Sequence, residues 1–75
     1  MILKNKRTRE RMQLSYTEFQ SRFAKEIQAA LDSYIQTENN RPYFKTNKNP
    51  KIDFYFDLQW NFNHFSPSVW FIEKL

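Results

Sequence analysis

Residues 52–62 read IDFYFDLQWNF, with an apolar side chain at every second position: Ile52, Phe54, Phe56, Leu58, Trp60 and Phe62. No glycine or proline interrupts the run. A period of two is the pattern of a strand with one buried face. On that reading Asp53, Tyr55, Asp57, Gln59, Asn61 and Asn63 point the other way, and eleven strand residues span roughly 36 Å.

A helix of matching length is expected upstream. In Leu14-Ser15-Tyr16-Thr17-Glu18-Phe19, Ser15 followed three residues later by Glu18 is a capping box, in which each side chain pairs with a backbone N–H of the first turn. Leu14 and Phe19 occupy the positions of a hydrophobic staple, so the helix is predicted to start near Tyr16. Phe19, Phe23, Ile27, Ala30, Leu31, Tyr34 and Ile35 then recur at spacings of three and four, one apolar stripe on a helix. Asn39, Asn40 and Pro42 end it near residues 36–38. About twenty residues make roughly 30 Å of helix.

Beyond Pro42 the reading is a short strand at residues 43–46, a turn at 47–50, the alternating strand, a turn at 64–68 around Pro67, and a last strand at 69–74. The expected fold is α+β: one long N-terminal amphipathic helix packed on one face of a three-stranded antiparallel β-meander, in the order α-β-β-β. A basic flexible arm at residues 1–13 precedes a single αβββ domain at 14–75. Glycine is absent. Asparagine, the usual substitute where φ is positive, is therefore expected at the turns, with loops longer than tight two-residue hairpins.

Seventy-five residues bury only about 60% of the surface that the unfolded chain exposes. The 8 Phe, 4 Tyr and 2 Trp compensate with large buried areas. Without cysteine there is no disulfide, and a single histidine, His64, excludes the usual zinc clusters. Asp53 and Asp57 on one strand face would have Cα atoms roughly 13 Å apart, too far for a carboxylate dyad. No nucleophile system or phosphate-cradling glycine loop is present. The expectation is a non-enzymatic protein with no catalytic residues, no metal and no cofactor. Because no apolar run approaches the ~20 residues of a bilayer span, and none resembles a secretory signal, a cytoplasmic protein is expected.

The net charge is +4, which favours acidic partners. Lys4, Lys6, Arg7, Arg9 and Arg11 are five of the twelve basic residues, opposed locally only by Glu10. Such an arm suits a phosphate backbone. Arg41, Lys45, Lys48 and Lys51 would extend the positive track. Aromatics on the outer sheet face, Tyr55 with Trp70 or Phe71, suggest a stacking platform for single-stranded nucleic acid, although Asp53 and Asp57 would repel phosphates there.

Residues 69–72 are apolar on both faces. Trp70, Phe71 and Ile72, with Tyr43 and Tyr55 nearby, are therefore candidates for a protein interface or homodimer, and an uncovered edge strand for pairing with a partner. The competing expectation is that the N-terminal segment folds back over this patch, anchored by Met1, Ile2 and Leu3. The composition suits a DNA- or RNA-binding, or nucleoprotein-binding, accessory or regulatory protein of a bacterial or phage system. The alternative is a small inhibitor or adaptor that docks on a host or defence protein through its aromatic sheet face.

Overall fold

The computed structural model describes residues 1–40 and 49–75. The elements are β1 (Ile2–Asn5), β2 (Arg11–Gln13), α1 (Tyr16–Arg22), α2 (Ala24–Asn39), α3 (Pro50–Phe56), α4 (Leu58–Phe65) and β3 (Trp70–Lys74). This α+β arrangement overturns the expected α-β-β-β order. Among the described residues there are four helices and a three-stranded antiparallel sheet of order β2-β1-β3. The middle strand comes from the segment expected to be a flexible arm.

The segment 52–62 is helical, and the physical reason is visible in its spacing. Phe54, Leu58 and Phe62 lie four apart, so they satisfy a period of two and also mark one face of a helix. All three are buried, as is Asn61, which with Phe65 completes the i+3/i+4 pattern. The other half of the alternating row, Ile52, Phe56 and Trp60, is 66%, 92% and 53% exposed. An eleven-residue strand would also need neighbours of similar length. The strands of this sheet are four, three and five residues long, and a longer one would leave backbone N–H and C=O groups unpaired.

The expected turn at 47–50 is corrected where it is described. Asn49 is the N-cap of α3, its side chain accepting the Lys51 N–H at 3.0 Å, and Pro50 takes the first helical position. Asn then Pro is a helix-start signal, since proline's fixed φ suits that position and its missing N–H is not needed there. The helix pair bends at Asp57 (φ −116, ψ 53). Asn61, buried just past the bend, donates its side-chain amide to the carbonyls of Asp53 (3.3 Å) and Phe54 (3.0 Å). The Asp53 carbonyl also accepts the Asp57 N–H at 3.4 Å, so the amide's distinct contribution at the end of α3 is its bond to the Phe54 carbonyl.

The upstream helix begins as its capping box requires. The Glu18 N–H donates to Ser15 Oγ, and the Ser15 N–H to Glu18 Oε1, both at 3.1 Å. It is not one continuous helix: the chain bends at Phe23 (φ −110, ψ 25) between α1 and α2. Phe19, Phe23, Ile27, Ala30, Leu31 and Tyr34 are buried. They face α3 and α4, with Phe19 and Phe62 ring centroids 5.1 Å apart and Tyr34 and Phe54 5.6 Å apart, both edge-to-face. Each buried Phe, Ile or Leu among them contributes roughly 1.5–3 kcal/mol. The expected strand at 43–46 lies outside the described residues.

Candidate nucleic-acid interface

The basic N-terminal segment is an ordered hairpin. Leu3 pairs with Met12 on one side and Ile72 on the other. Leu3 and Ile72 are fully buried, and Met12 packs against them, so this row faces the helices. Alternation then places Ile2, Lys4, Arg11, Gln13 and Phe71 on the opposite face of the sheet. Pairing continues one step past β1, the Lys6 N–H donating to the Val69 carbonyl at 2.8 Å.

The turn between β1 and β2 is built by side chains. Asn5 Oδ1 accepts the N–H groups of Arg7 (2.8 Å) and Thr8 (3.1 Å), and Thr8 Oγ1 accepts that of Glu10 (3.3 Å). Local Asn and Thr bonds of this kind organise tight turns. Backbone bonds from Arg9 N–H to Asn5 O and from Asn5 N–H to Glu10 O close it. Arg9 sits at φ 65, a left-handed conformation that costs a side-chain-bearing residue roughly 1–2 kcal/mol. Lys6, Arg7 and Arg9 are all exposed at this tip.

On the outer sheet face Lys4 stands between Arg11 and Phe71, its partners on the two flanking strands. The register slips by one between Ile2 and Leu3, so Lys74 comes opposite Ile2. Glu73 reaches across to Arg11, whose Nε and Nη2 donate to its two carboxylate oxygens at 2.8 and 3.2 Å. That hydrogen bond, aided by the charges of Arg11 and Lys4, holds the Glu73 carboxyl below its ordinary value, and the same bond with the Glu73 charge raises the Arg11 pKa. Ile2, Arg11, Glu73 and Lys74 line a shallow hollow of about 450 Å³.

The structure therefore gathers Lys4, Lys6, Arg7, Arg9 and Arg11 on one hairpin. It does not bring Lys51 to them through any element: Lys51 belongs to the exposed first turn of α3. Arg41, Lys45, Lys48 and Tyr43 lie outside the described residues. Of the residues expected at a protein interface, Ile72 is 1% exposed and belongs to the core, while Trp70 packs against that core. Phe71 alone of the three lies on the outer sheet face. Tyr55 is exposed, but on α3 rather than on a sheet.

The edge of β3 is also not open at Ile72. Asn63 Oδ1 accepts the Ile72 N–H at 2.7 Å and its amide donates to the Ile72 carbonyl at 2.8 Å. Gln59 donates to the carbonyls of Ile72 and Glu73. These two amides occupy the backbone groups that strand pairing would use. Val69, Ile2 and Lys74 on the outer face follow only once the register is known, whereas Ile52 and Phe56 on α3 were hidden by the alternation itself.

Among the described residues, no group of His, Cys, Asp and Glu is placed to hold a metal ion, and no helix is long and apolar enough to cross a membrane. Comparison with protein-family models, curated proteins and solved structures returns no match.

Proposed function

We propose that this is a non-enzymatic nucleic-acid-binding protein whose contact surface is the β1–β2 hairpin. The observation that carries the reading is the tip, where Lys6, Arg7 and Arg9 project from a turn fixed by Asn5 and Thr8. At Arg9 a long cationic side chain occupies a left-handed backbone position that glycine would fill without strain. Strain of this kind collects at functional sites. A preformed cationic turn meets a phosphate backbone without the ordering cost of a flexible arm.

The test is binding to mixed-sequence DNA and RNA as a function of salt, for the wild type, Arg9→Gly and the pair Arg7→Ala/Arg9→Gly. Removing one cation that pairs with a phosphate should flatten the dependence of log K on log salt by about 0.7 for single strands and 0.9 for duplex. Arg9→Gly should weaken binding while leaving stability unchanged or raised by about 1 kcal/mol, because the strain is removed. Absence of binding at low salt, or binding indifferent to both changes, would overturn the reading.

A second reading, docking on a partner protein, is favoured by one feature: Phe56 is 92% exposed and Ile52 66% on the same short helix. It moves the expected adaptor surface from the sheet to α3. A pull-down that captures the same partner with Phe56→Ser as with the wild type would count against it.

A further inference from the structure

We infer that the outer sheet face binds unpaired nucleic acid, with a base stacked on Phe71 and the flanking phosphates held by Lys4 and Lys6. This rests on the nucleic-acid function proposed above and adds its substrate class. The register puts Phe71 directly opposite Lys4, and Lys4 opposite Arg11, so one row across the three strands reads aromatic, cation, cation. Lys6 and Val69 continue the same face toward the basic tip, and Ile2 floors the hollow at its other end. The core, with the helices around it, lies on the far side of the sheet, the side of Leu3 and Ile72.

A ring flanked by cations on a sheet surface is the arrangement that takes a splayed base on its π-face while the cations follow the backbone. A paired base cannot present that face, because its own neighbours cover it in the stack. Beside this row the Glu73 carboxylate is held by two hydrogen bonds from Arg11, so these two charges offset each other and leave Lys4 and Lys6 for the phosphates. Ring and cations address base and phosphate, groups that DNA and RNA share, so the two should bind alike.

The test compares labelled oligo(dT) and oligo(U) with a blunt-ended duplex that has no loop, using single strands of about a dozen nucleotides, within the usual site sizes. The wild type should prefer both single strands to the duplex and bind them within a few-fold of each other. Phe71→Leu keeps an apolar side chain without the ring. It should lose roughly tenfold or more on the single strands, as removal of one base–aromatic stack does, with no change in salt slope, and Phe71→Trp should restore the loss. Circular dichroism of the variants checks that the fold is kept. Equal or tighter duplex binding, or a Phe71→Leu affinity equal to wild type, overturns this inference and leaves the hairpin reading intact. Absence of binding to every probe overturns both.

Discussion

Two apolar segments of this chain both read as strands in the sequence, one by strict alternation and one by apolar residues on both faces, and they fold differently. Residues 52–62 form most of α3 and the first part of α4, while residues 70–74 form β3. The longer segment carries a second period inside the first: Phe54, Leu58 and Phe62 at intervals of four, introduced by Asn49 and Pro50 as cap and first turn. The shorter segment has no room for such a face, and its Trp70, Phe71 and Ile72 are aromatic and β-branched residues suited to a pleated surface. Its neighbour is supplied from the other end of the chain, by Ile2–Asn5. Alternation by itself shows which residues share a strand face if a strand forms. Whether one forms depends on whether strands of equal length exist to pair with it.

The largest expected effect separates the two periods directly. Phe62 and Phe56 stand in the same alternating row, and a strand would treat them alike. Phe62→Ala removes a ring packed edge-to-face on Phe19 and Phe23, and should cost about 3–5 kcal/mol. That is a large part of the stability of a domain this small. Phe56→Ala should change stability by no more than about 0.5 kcal/mol. Urea denaturation of both variants reads the contrast, and equal losses would restore the strand.

A smaller effect tests the bend that makes two helices of this segment. Asn61→Ala leaves the buried carbonyl of Phe54 without its partner, and an acceptor stranded in this way costs about 1–3 kcal/mol. An unchanged denaturation midpoint would show that the bend is held by something other than this amide.

The smallest effect is electrostatic and on the exposed surface. Glu18 is held below its ordinary pKa chiefly by hydrogen bonding with Ser15, and Glu73 by the hydrogen bond from Arg11. A carboxyl group whose pKa falls on folding stabilises the fold above its unfolded value. That contribution is lost as pH drops through the folded value. Stability should therefore decline on acidification from about pH 5 downward. The double change Glu18→Gln/Glu73→Gln should flatten that decline, measured as denaturation midpoint against pH.

The start and the buried stripe of the first helical segment were legible; its break at Phe23 was not. Ser15 and Glu18 form the expected capping box, and the stripe from Phe19 to Tyr34 is the buried face, because both depend only on neighbours within a turn or two. The Asn49-Pro50 start was also legible in the residues but was masked by the alternation that follows it. The sheet was not legible, because its strands come from the two ends of the chain and three or four residues carry too little pattern to reveal a pairing across some seventy positions. The basic cluster was visible as composition. Its shape, an ordered turn with Arg9 in a left-handed conformation, required the Asn5 and Thr8 hydrogen bonds that only the fold provides.

The two regions also differ as surfaces: the hairpin gathers five cations against Glu10, while α3 and α4 carry Asp53 and Asp57 with Phe56 and Trp60 exposed. Titrating oligo(dT) into the 15N-labelled protein and following the backbone amide signals separates them in a single measurement. We expect shifts concentrated at residues 2–11 and 69–74, fading as salt is added. Shifts centred on residues 50–65, or a spectrum unchanged at low salt, would contradict the assignment of the hairpin face as the binding surface.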